Sequence, residues 1–137
     1  MVTITSKHSG HLQYTSVHDP SSTELLTDAP LDNGGTASSF SPTDLVATAL
    51  LTCIMTTIEL YAARHDLKLD GMHGAVQKKM RTESPRRIAE LILDIHMPLP
   101  ADHPMRARLE EMASKCPVHL SLHPDVKESI TWHWGAA

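Results

Sequence analysis

Cys53 and Cys116 are the only thiols in the chain. Cys53 sits midway along a long uncharged helical pattern that opens at Ser41-Pro-Thr-Asp-Leu, and Cys116 sits where a second helical pattern meets a proline, in Lys115-Cys-Pro-Val-His. No basic segment followed by an apolar core opens the chain, so no signal peptide is expected and the thiols are read in a reducing, cytoplasmic setting. There, two cysteines on apolar faces suggest a working dithiol that takes an oxidising equivalent and closes into a disulfide. The plainer reading is two small core residues, because free cysteine is among the most buried residue types. Cys116 precedes Pro117, so it could cap a short turn from Pro117 to Leu122 and receive backbone N–H groups at its sulfur.

The elements that must position these thiols follow from periodicity. Short runs at Val2 to Thr5, His11 to Val17 and Thr23 to Asp28 read as strands, separated by Ser9-Gly10 and Asp19-Pro20-Ser21-Ser22. A loop of small residues, Asn33-Gly-Gly-Thr-Ala-Ser-Ser, leads to the first helix, expected from Pro42 to about His65. Ser41 suits its cap, Pro42 its first position, and Asp44 the place three after the cap. Apolar residues occupy every side of this helix, which predicts enclosure on most faces. Met72 to Met80 and Ala89 to Met97 alternate as half-buried antiparallel strands. Pro104 is expected to open a second helix whose stripe of Met105, Leu109, Met112 and Cys116 faces inward. A last strand runs from Val126 to Trp134. The order βββ-α-ββ-α-β predicts one α+β domain over residues 1–137, with antiparallel sheets around two central helices. A homodimer would enclose the first helix.

Bulk properties narrow the function. The chain has 137 residues and a net charge of −4, so a nucleic-acid partner is not expected. The longest uncharged stretch, Leu45 to Ile58, is too short to span a bilayer and holds four threonines, so a membrane is not expected either. Cys116, His119 and His123 follow a Cys-x2-His-x3-His spacing that could suit zinc or copper. Only three ligands occur locally and two prolines disturb the spacing, so no metal is assigned. His96 and His133 fall on polar strand faces and are read as surface positions, and Glu59 as the start of the helix's solvated end.

Taken together, the Ser41-Pro-Thr-Asp-Leu…Cys53 helix start, the Lys115-Cys-Pro-Val-His119 segment and the element order resemble the OsmC/Ohr family of thiol-dependent peroxidases, closest to its OsmC-like branch. The resemblance covers nearly the whole chain. It implies an intertwined α+β homodimer with two active sites at the subunit interface, and reduction of organic hydroperoxides. By it Cys53 is the peroxidatic thiolate, Cys116 resolves the sulfenic acid as an intramolecular disulfide, and an external dithiol is the reductant, with no bound cofactor. The family's activating pair is an arginine from the N-terminal strands and a glutamate near the start of the cysteine helix. Here no arginine precedes Arg64, and Thr43 or Asp44 stands nearest the glutamate's place. Lys7, His8, His11 and His18 are the N-terminal cations; Arg64, Arg81, Arg86 and Arg87 are later candidates. The alternative within the same fold is a non-enzymatic protein that binds an apolar ligand or senses redox state in the interface cleft.

Overall fold

The computed structural model describes residues 1–135. They group into two compact units, the first Met1–Val46 and the second beginning at Ala47.

The first unit is an antiparallel meander of β1 (Ile4–Gly10), β2 (Gln13–His18) and β3 (Thr23–Asp28). β1 starts two residues later and runs five residues further than the apolar run suggested, because polar Ser6, Lys7 and His8 pair in register with Ser16, Thr15 and Tyr14. Asp28, at the end of β3, organises the loop of small residues. Its carboxylate accepts hydrogen bonds from Thr36 Oγ1 (2.6 Å), Ser38 N (3.0 Å) and Ser38 Oγ (2.8 Å). These bonds, that of Thr36 foremost, hold the Asp28 carboxyl well below the usual carboxylate range, while desolvation pulls the other way. Gly35 is required by this packing, since a Cβ there would lie 1.8 Å from the Ala29 carbonyl oxygen.

Helix α1 (Pro42–Ala63) begins with a reciprocal cap. Ser41 N donates to Asp44 Oδ2 (2.9 Å) and Asp44 N donates to Ser41 Oγ (3.1 Å). The helix extends past both ends of the uncharged stretch. At 22 residues it is long and apolar enough to cross a membrane by length and composition, contrary to the expectation drawn from Leu45 to Ile58. Its Ala47, Leu50, Leu51, Ile54, Ile58 and Ala62 are buried in the core of the second unit, whereas Leu60 is exposed. Within this unit, then, one face of the helix is enclosed rather than most. Threonine hydroxyls are satisfied by the helix itself: Thr52 donates to the Thr48 carbonyl and Thr57 to that of Cys53, both at 2.8 Å.

The second unit's sheet has the order β4 (His73–Met80), β5 (Ile88–Met97), β6 (Lys127–Trp134). Leu91, Leu93, Ile95 and Met97 of β5 are buried on one face, as the alternation requires. Each such side chain contributes about 1.5–3 kcal/mol. Gly74 lets α1 sit close: a Cβ there would meet the Asp94 carbonyl oxygen at 2.7 Å and Leu51 Cδ1 at 3.0 Å. β4 and β5 are antiparallel, but β5 and β6 are parallel, so the expectation of antiparallel sheets holds for three of the four pairings. The helical crossover between β5 and β6 returns the chain to the same end of the sheet, which a parallel neighbour demands.

That crossover is shorter and more broken than the spacing predicted. α2 spans Arg106–Glu111, a 3-10 turn follows over Met112–Lys115, and α3 covers Pro117–Ser121. Pro104 lies outside α2. Cys116 is extended (φ −62°, ψ 127°), because a residue before proline avoids helical geometry. The inward stripe survives these breaks: Leu109, Met112 and Cys116 are buried and Met105 packs against the core.

Candidate active site

Cys53 and Cys116 come together. Both are free thiols; Cys116 is fully buried and Cys53 is half-buried on α1. The Cys116 thiol is pushed up to about 11, first by burial and then by its hydrogen bond with the Cys53 side chain. The amides of Val118 and His119 pull in the opposite direction. They approach the sulfur at the start of α3 without closing a full capping hydrogen bond. Cys116 is therefore a neutral thiol at neutral pH, held against Cys53.

Asp44 is engaged in the cap with Ser41, about two and a half helical turns before Cys53 on the same helix. Two of the later arginines pair with carboxylates elsewhere. Arg81 pairs with Glu83 (3.6 Å) and Arg87 with Asp125 (3.7 Å), and no cation figures among the influences on Cys116.

The second unit holds a cavity of about 240 Å3. Ile54, Leu93, Ala113, Ile130 and Trp132 give it apolar walls, and Glu110, His119 and Glu128 supply polar groups. Neither sulfur lines it, but their neighbours do. Ile54 follows Cys53 in the chain, and the Ala113 carbonyl receives the Cys116 N–H. His119 Nδ1 donates to Glu128 Oε2. The second oxygen of Glu128 is buried without a hydrogen-bond partner among the described residues. Glu110 is already engaged, accepting from Trp134 Nε1 (2.8 Å) and Arg106 Nε (3.0 Å).

Sequence reasoning missed Glu128. The signal was there: Glu128, Ile130, Trp132 and Trp134 share one period-2 face of β6, and a carboxylate on a largely apolar strand face needs a partner. The Cys116, His119, His123 spacing does not assemble into a ligand set. His119 turns to Glu128, His123 pairs with Asp125 (3.7 Å), and no three metal-ligating side chains converge among the described residues. His96 and His133 are not isolated surface residues. With His73 they form a row of stacked rings across β4, β5 and β6, with centroids 4.4 and 4.3 Å apart. Burial, then the flanking His133 and His73, lowers the His96 pKa, opposed by Asp94.

Comparison with known proteins bears on the family and the fold. The family model described as OsmC-like protein matches residues 35–131. A structure from Psychrobacter arcticus 273-4, described as an osmotic stress induced and detoxification response protein, is 34% identical with a TM-score of 0.90, covering 97% of this chain and 96% of that one. An organic hydroperoxide resistance protein OsmC from Legionella pneumophila shares the fold at 14% identity and a TM-score of 0.78, over 97% and 96% of the two chains. So does an organic hydroperoxide resistance protein from Elizabethkingia anophelis with thiocyanate bound, at 16% identity and a TM-score of 0.77, over 98% and 96%. No curated protein matches the chain.

Proposed function

The chain belongs to the OsmC family, and from that footing we propose that it is a cysteine peroxidase that reduces organic hydroperoxides. The observation that carries this reading is the contact between Cys53 and the buried, neutral Cys116 thiol. The Cys53 thiolate attacks the terminal peroxide oxygen; the S–O bond forms, the O–O bond breaks, and the alkoxide leaves as an alcohol after protonation. Cys116 then displaces the sulfenic oxygen, which departs as water with the Cys116 proton, and the sulfurs close as a disulfide. A thiol with a pKa near 11 attacks peroxide poorly, because the thiolate is the nucleophile. That suits Cys116 to the second step and leaves the first to Cys53. An external cytoplasmic dithiol completes the cycle by exchange. The working form is a homodimer. Two fold relatives are described as organic hydroperoxide resistance proteins, which agrees with this substrate class.

Turnover of cumene hydroperoxide with a dithiol reductant tests the assignment. Cys53→Ser is expected to abolish turnover, and Cys116→Ser to accumulate a sulfenic acid that a dimedone-type reagent traps. Undiminished turnover in Cys53→Ser removes the reading. The cavity favours a second reading, an apolar ligand held without chemistry, which tight binding of such a ligand with no peroxide consumption would support.

A further inference from the structure

Resting on the peroxidase reading, we infer that His119, oriented by Glu128, is the proton donor to the departing alkoxide. Breaking an O–O bond releases an alkoxide, a poor leaving group unless a proton reaches it as the bond breaks. The thiolate that attacks has no proton to give, and Cys116 keeps its own for the later step.

His119 is built for this task. Its Nδ1–H is held by Glu128 Oε2, which fixes the orientation and tautomer of the ring. That leaves Nε2, which makes no hydrogen bond among the described residues, as the group available to the cavity that His119 lines. Glu128 Oε1 is buried with no hydrogen-bond partner among the described residues, so the hydrogen bonding of this carboxylate is directed to the imidazole. The same residue is tied to the redox pair, because its backbone N–H approaches Cys116 Sγ. One short turn therefore links the resolving thiol to the proton source. Ile54, Leu93 and Trp132 give the alkyl body of the peroxide an apolar wall beside that source.

The step balances. Cys53–S⁻ attacks the distal oxygen of RO–OH and is oxidised by two electrons to Cys53–SOH. The O–O bond breaks, and RO⁻ takes the Nε2 proton to leave as ROH. His119 is left neutral, still bonded to Glu128, and regains its proton from solvent. Glu128 acts through His119 and is a positioning residue.

A comparison of leaving groups tests the assignment. An alkyl hydroperoxide expels an alkoxide and needs the proton, whereas a peracid expels a carboxylate and does not. Stopped-flow oxidation of Cys53 by cumene hydroperoxide and by peracetic acid is measured in wild type, His119→Gln and Glu128→Gln. General acid catalysis contributes about a hundredfold or more, so the ratio of hydroperoxide rate to peracid rate is expected to fall by about that factor in His119→Gln, with a smaller fall in Glu128→Gln. An unchanged ratio, whether both rates persist or both collapse together, overturns the inference. Wild-type protein oxidised by neither compound removes the peroxidase reading itself, a distinct outcome.

Discussion

Cys116 stands between opposed influences: burial and the Cys53 side chain favour its neutral form, and two α3 amides favour its anion. The first pair wins, so Cys116 is held as a neutral thiol, which the proposed second step requires. The two cysteines and the capping place of Asp44 were legible in the sequence, because each lies in a local pattern that fixes its setting. Glu128 and the stacked histidines were not, because both arise from tertiary contacts and strand register, which place residues 9 to 37 apart in the chain side by side. Asp28 shows the same limit, since its partners Thr36 and Ser38 come from a loop read only as small residues. Its folded carboxyl is held below its unfolded value, so its stabilisation is present above the ordinary carboxylate value near 3.9 and is lost as pH falls toward the lower folded value. Asp28→Asn is expected to melt at lower temperature at pH 7 and to show a shallower loss of melting temperature on acidification. Thermal melts across the acid range check this, and an acid limb identical to wild type contradicts it.

At the level of elements, periodicity located most of what exists. The start of α1 was marked by its capping residues and the buried face of β5 by strict alternation, while α1 ends at Ala63, two residues before the expected His65. What failed did so for identifiable reasons. A continuous second helix was expected from the Met105, Leu109, Met112, Cys116 stripe, but a stripe survives a change of helical type, and Pro117 forced Cys116 out of helical geometry. That break starts α3 at the sulfur and brings the His119 amide toward it. Parallel pairing of β6 was invisible, since alternation reports a strand's faces and not its direction. It matters to the site, because β6 carries Glu128, Ile130 and Trp132 to the cavity wall.

For the whole molecule, the resemblance read from the motifs and the family match over residues 35–131 agree, and the family's N-terminal arginine remains absent from this chain. Val2, Ile4, Phe40, Leu60 and Leu120 leave large apolar side chains exposed, and association between copies is the simplest way to cover such surface. Light scattering at micromolar concentration is expected to return the mass of two chains; a single-chain mass contradicts the dimer. The central claim concerns the dithiol, and counting thiols before and after one equivalent of cumene hydroperoxide tests it most directly. Both Cys53 and Cys116 are expected to disappear from the count with no covalent link between chains, whereas retention of both thiols would contradict the account.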